Sequence, residues 1–254
     1  MESICHKQGA ARWADCTPEY GLYLKRIDSD FPDARILHVV RDGRDVALSL
    51  GRQNFIQPLP WHRGDREVSA GAYWAWINQK ITEASQAFGD RYLRFKYESL
   101  CDNYKKSLNE ISEFIGKPID PATVERNRIG SVETPNSSFS RAANTEEQSN
   151  QPRWKTGYSE RKLAFVEAVL GNELVTMEYN PHSTRRASEK LSLYAWLNRS
   201  LYYMRFSLGL SLRNLALIQR QRIEIPPAST EPSHDDPTLR PGENMSKIRE
   251  IIES

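Results

Sequence analysis

Residues 36–50 read ILHVVRDGRDVALSL: a β-branched apolar run, four charges within five positions, then an apolar stretch again. A run of that length and composition predicts a strand buried on both faces, the pattern of a parallel sheet covered by helices. GRDVALSLGRQ predicts the helix that follows, with Asp42 as N-cap and Asp45 at its third position. Around this unit the chain keeps alternating. TPEYGLYLKRIDSDF predicts a helix opened by Thr17 and Pro18, REVSAGAYWAWINQKITEASQAFG a longer one stopping at Gly89, RYLRFKY a second strand, and NYKKSLNEISEFIG an amphipathic helix. Helix, strand, helix, helix, strand, helix implies an α/β fold.

In an open α/β sheet, ligands sit beyond the carboxyl ends of strands, where loops run into helix N-termini. RDGRD lies at such an end. Arg41, the last strand residue, can aim a guanidinium fork at a phosphate, and Ser49, two turns into the helix, can add a hydroxyl. Alternatively Arg41 and Arg44 pair with Asp42, Asp45 or other acids. On spacing alone, that pairing comes first.

With 254 residues, of which 39% are hydrophobic, the chain can bury one principal core. A net charge of +2 gives no general case for nucleic acid, so any anion site is local. The three cysteines, Cys5, Cys16 and Cys101, are too few for a disulfide framework and lack metal spacing, so no metal is expected. The opening residues lack the apolar core of a signal peptide, and no stretch of about eighteen apolar residues occurs, so a soluble cytoplasmic protein is expected.

FPDARILHVVRDGRDVALSL resembles the stretch of PAPS-dependent sulfotransferases that binds the 3′-phosphate of 3′-phosphoadenosine 5′-phosphosulfate (PAPS). The resemblance implies that Arg41 and Ser49 hold that phosphate. RWADCTPEY is similar to the family's Trp-x-Asp-Lys-Thr-Pro segment, FKYESLCDN to its Tyr-Glu-Asp-Leu segment, and ISEFIGKPID to the helix after it. RWKTGYSERKLAFVEAVLGNELVTMEYN resembles the closing element, with Arg153 and Lys155 in the place of phosphate-contacting basic residues. These pieces run in the family's order over roughly residues 10 to 180. The family usually opens with a strand and a Gly-rich phosphosulfate loop. Nothing of that kind precedes Trp13, there is no GxxxxGK[ST] motif, and Cys16 stands where the family often has lysine. The expectation is a P-loop-like three-layer sandwich, truncated at its N-terminus and extended by a long C-terminal helix.

Within that reading His62, in PLPWHRGDRE, is the expected general base, on a loop where the family places acceptor-contacting residues; a solvated loop histidine is the plain alternative. His38 reads as a satisfied strand residue, Tyr73, Trp74 and Trp76 as core, and Cys101 as buried. Residues 131–151 are polar and predict a long loop or lid, and Ser159 predicts the N-cap of the helix after it. Residues 186–222 form a basic amphipathic helix. Its stripe of Tyr194, Leu197, Leu201, Met204, Leu208, Leu212 and Leu215 suits docking on its own domain, self-association or a peripheral membrane contact. Residues 1–185 are expected to form the sulfotransferase-like domain and 223–254 a largely disordered tail. The function implied is sulfuryl transfer from PAPS to a hydroxyl or amine of a carbohydrate, lipid, peptide or small molecule. The alternative is a non-catalytic remnant that binds or oligomerises through the C-terminal helix.

Overall fold

The computed structural model of the chain describes residues 12–122, 152–182 and 189–223. The loop expected at 131–151 and the tail expected after 223 lie outside these residues. Contacts divide the chain into one unit through Leu208 and a second from Gly209 onward, described as far as Ile223.

The first helical segment begins at Pro18 as expected, but as a 3₁₀ helix, Pro18–Tyr23, that passes into α1, Leu24–Asp30. The Thr17 side chain makes no capping bond; its N–H donates to Asp15 Oδ1 instead. Strand β1, Ile36–Val40, leads into α2, Gly43–Gln53, and then α3, Arg66–Ser85. A 3₁₀ turn at Gly89–Arg91 carries the chain into β2, Tyr92–Lys96. The two strands pair in parallel, Ile36 opposite Tyr92 and Val40 opposite Lys96. Parallel pairing needs a crossover, and α2 and α3 supply it. After β2 come α4, Tyr97–Asp102, and α5, Tyr104–Ile115, which Asn103 caps at its start and left-handed Gly116 ends. Farther along are α6, Trp154–Gly157, α7, Glu160–Leu170, α8, Asn172–Thr176, and α9, Glu189–Ile223. Ser159 caps α7 as its sequence predicts, accepting from Lys162 N–H. Among the described residues the fold is thus mixed α/β: one small parallel sheet and mostly helices.

One expectation about the sheet is corrected. β1 is not buried on both faces: Val40 is enclosed, but its neighbour Val39 is 52% exposed. With two strands among the described residues, the helices cover one face of this strand and leave Val39 on the other.

The core sits where α2, α3 and α7 meet the end of β1. Val40, Ala47, Trp74, Val166, Leu170 and Met177 form its centre. Gly43 is required there, because a methyl group at that position would lie 2.8 Å from the Trp74 ring. The Trp74 indole in turn donates to the Arg41 carbonyl at 3.2 Å, fixing the strand end on α3. Trp74 and Trp76 are core residues, as read from the sequence.

Within the first unit, the part of α9 up to Leu208 packs through Ala195, Asn198, Tyr202 and Phe206, with Tyr202 among Val68, Ala72 and Val169. The Leu and Met stripe picked out by the sequence is not the docking face. Leu197, Leu201, Met204 and Leu208 are exposed, and Tyr194 is the edge at which the stripe meets the domain, its hydroxyl at His62 and its ring stacked on Phe165. Cys101, expected to be buried, is exposed as well, because the short α4 turns it outward from the element boundary.

Candidate functional site

The four charges of RDGRD divide into two sets. Asp42 caps α2, its side chain accepting from Arg44 N–H at 2.9 Å. The Arg44 guanidinium turns back and grips the same carboxylate with two bonds, 2.9 and 2.7 Å. It also reaches Glu167 at 2.7 Å and the Asn180 carbonyl at 3.1 Å, and stacks 3.8 Å from the centre of the Trp154 ring. Burial works against the Arg44 charge, but the Asp42 and Glu167 carboxylates outweigh it and hold the guanidinium above its ordinary range. Arg44 is spent on the fold: it ties the start of α2 to α7.

Arg41 is placed differently. Among the described residues its one ion pair, with Asp45, is long at 3.6 Å, and the guanidinium lies 4.8 Å from the centre of the Tyr97 ring. Its Nε is buried with no acceptor among the described residues. Arg41 opens onto a cavity of about 240 Å³ lined also by Asp42, Asp45, Glu98, Pro152, Trp154, Lys155 and Tyr179. Trp154 brings a second buried donor to this cavity, an indole Nε1 without a partner. Buried N–H groups in folded proteins are almost always satisfied, so two orphans on residues that line one cavity point to an acceptor nearby.

The carboxylates of the cavity would repel an anion if they were free, but each is engaged. Glu98 accepts the Asp42 backbone N–H at 3.0 Å and the Tyr179 hydroxyl at 2.6 Å. Burial pushes the Tyr179 hydroxyl well above its ordinary pKa, with the Glu98 bond adding to it, so it stays a donor. Asp45 accepts the Trp154 backbone N–H at 2.8 Å. Burial raises the Asp45 pKa; that N–H, Arg41 and Arg153 pull it back.

Of the residues expected from the sequence, Arg41 and Lys155 come together on the cavity wall. Arg153 stands at the start of α6, close enough to act electrostatically on Asp45 and Tyr97. Ser49 is half-buried on α2 and is not among the cavity-lining residues. His62 departs from the solvated loop expected for it: it is 2% exposed, with Nδ1 3.2 Å from the Tyr202 hydroxyl and Nε2 3.2 Å from that of Tyr194. Burial lowers its pKa. The reason lies far along the chain, since α9 folds over the loop and encloses the imidazole. His38 is a satisfied strand residue as expected, bonded to the Tyr92 hydroxyl at 2.7 Å.

Sequence reasoning missed Trp154, Glu98 and Tyr179. All three lie inside segments that resemble the family (RWK, YES and MEYN), but nothing in the linear pattern shows that they close on Arg41.

Residues 1–121 match a family model described as Sulfotransferase family. Over that stretch, just under half of the chain, the sequence is that of a sulfotransferase-family segment. Sulfotransferase 1B1 of Mus musculus is 29% identical over 99 residues, covering 36% of this chain and 33% of the mouse protein. The chain thus spans about a third of the length of that curated relative. No solved structure matches it. The family match covers β1, α2, α3 and β2, and so includes Arg41, Asp42, Asp45 and Glu98; Trp154, Lys155 and Tyr179 come from beyond it.

Proposed function

We propose that the chain binds PAPS as a sulfuryl donor, with Arg41 as the anchor for the 3′-phosphate, and serves sulfuryl transfer to a hydroxyl or amine acceptor. The observation that carries the reading is the pair of orphaned buried donors, Arg41 Nε and Trp154 Nε1, on residues that line one cavity at the carboxyl end of β1. At about 240 Å³ the cavity is smaller than the roughly 300–1,000 Å³ of ordinary ligand pockets, so it suits one phosphate-sized end of the donor. PAPS supplies the group transferred. What the chain's residues do is hold and align: Arg41 offers a fork of N–H donors, Trp154 a directional N–H, and Lys155 a mobile charge at the mouth. Ser49 and Arg153 belong to the same reading as outer contacts, and the three-layer sandwich of the family is its fold. His62, its nitrogens already engaged, holds α9 in place in this conformation.

Isothermal calorimetry with adenosine 3′,5′-bisphosphate tests the proposal. A charge-assisted contact is worth about 1.5–3 kcal/mol, so Arg41→Ala is expected to weaken binding roughly ten- to a hundredfold. Absence of binding to the folded wild-type chain, or equal affinity in the variant, would overturn it.

A further inference from the structure

Helix α9 is apolar on two faces, and the domain covers only one of them. On the exposed side, Leu193, Tyr194, Leu197, Leu201, Met204 and Leu208 are each between 38% and 63% exposed. Tyr194, Leu201 and Leu208 stand seven residues apart, and Leu197 and Met204 fall between them with the same period. That is the a/d spacing of a coiled-coil seam, which a helix needs only when a second helix lies along it. Farther along the helix, in the second unit, Leu212 and Leu215 are also exposed.

We propose that this seam pairs with the same seam of a second copy of the chain. Charge distinguishes a second copy from a lipid surface. Helices that lie on anionic membranes carry Lys and Arg on the polar face that flanks the apolar one. Within the first unit the helix carries three basic residues, Lys190, Arg199 and Arg205, and the last two, which fall along the seam's length, are turned to the domain. Arg205 donates to the Gln57 carbonyl at 2.8 Å, and Arg199 lies against Gly171 and acts electrostatically on Glu173. Ser200, beside the seam, is small and folded back on the Trp196 carbonyl, which leaves room for a helix to approach. Area points the same way. Six side chains at this exposure present on the order of 650 Å² per copy, or about 1,300 Å² in a dimer, within the range of specific interfaces. A two-fold arrangement satisfies the same patch on both copies.

Sedimentation velocity of the full chain, from about 1 µM to about 100 µM, reads the outcome. The wild type is expected to reach the mass of a dimer within that range. Met204→Glu combined with Leu208→Glu is expected to remain monomeric, with the dissociation constant raised at least about a hundredfold and far-UV circular dichroism unchanged. Should that double variant lose its fold, Met204→Gln is expected to raise the constant by roughly tenfold while staying folded. A wild type monomeric throughout would overturn the proposal, as would dimers indifferent to both substitutions. A monomeric wild type that co-sediments with phosphatidylserine vesicles, while the double variant does not, would give the face to lipid.

Discussion

Arg41 and Arg44 are three residues apart in one charged pentad, yet their removal should have opposite consequences. Replacing Arg44 with methionine removes a guanidinium whose side chain is 4% exposed and strands two buried carboxylates, Asp42 and Glu167. Breaking a buried pair in this way costs about 3–5 kcal/mol. The structure supplies partial compensation: Asp42 keeps the Arg44 backbone N–H, and Glu167 keeps the His182 N–H at 2.8 Å. Against that stands the lost stacking on Trp154, worth about 1–2 kcal/mol when desolvated. The sum stays near 3–5 kcal/mol, a large share of a domain stability of about 5–15 kcal/mol. Arg41→Ala removes one long ion pair from a side chain that is 32% exposed, and should cost about 1 kcal/mol or less. Urea unfolding followed by tryptophan fluorescence measures both, at equal denaturant slopes. Adding Glu167→Gln to Arg44→Met should recover part of the loss, since one of the two stranded charges is then gone. An Arg44→Met variant destabilised by less than about 1 kcal/mol would refute the division of the pentad into a structural and a binding arginine. So would an Arg41→Ala variant that unfolds as easily as Arg44→Met.

Other expected outcomes rest on single contacts. Trp154→Phe keeps a ring beneath Arg44 but removes the orphaned indole donor, so adenosine 3′,5′-bisphosphate should bind about three- to tenfold more weakly by calorimetry, with the urea midpoint little changed. Gly43→Ala should cost about 1–3 kcal/mol, because its methyl would meet the Trp74 ring, whereas Gly71→Ala, whose nearest neighbour is 3.6 Å away, should be neutral or stabilising; thermal unfolding separates them. His38 has its pKa lowered to about 4, by burial first and by Arg94 second. The unfolded chain therefore takes up a proton near pH 6.5 that the folded chain refuses. Stability contributed by neutral His38 is complete above pH 6.5 and falls by up to about 3 kcal/mol as the pH drops toward 4. Urea midpoints across that window should fall less steeply in His38→Asn than in the wild type.

Local pattern carried the first half of the fold. The bounds of α2 and the Asp42 cap follow from spacing that acts over a few residues, and the structure keeps both, whereas β1 ends at Val40, one residue short of Arg41, and α3 ends at Ser85, short of the expected stop at Gly89. Where the reading failed, the cause was a partner distant in sequence. Tyr97 was taken as the end of a strand, but β2 stops at Lys96 and α4 begins, with Glu98 accepting the Asp42 N–H from 56 residues away. His62 sits in a segment whose neighbours are proline, arginine and aspartate, which by composition belongs in water. Its partners Tyr202 and Tyr194 are 140 and 132 residues away, and no local signal announces them. The cavity is the same kind of object: the Arg41 side comes from the strand end, and the Trp154 side from a segment more than a hundred residues later.

The C-terminal helix shows why periodicity alone could not choose its inner face. The regular Leu and Met repeat is the stronger signal and would ordinarily mark the buried side. The domain instead takes the less regular face, Ala195, Asn198, Tyr202 and Phe206, because that face answers its polar groups as well as its apolar ones. Asn198 accepts the Trp61 indole N–H at 2.9 Å, and the Tyr202 hydroxyl accepts the Leu59 N–H at 3.0 Å. Leucines at positions 198 and 202 would take both acceptors away, and the half-buried Leu59 N–H would then cost roughly 1–3 kcal/mol. That penalty offsets much of the transfer free energy of an enclosed leucine, about 1.5–3 kcal/mol. Polar matching therefore sets the orientation of the helix, and the leucine seam is left outward as a consequence, free for a partner that brings no polar groups to be answered.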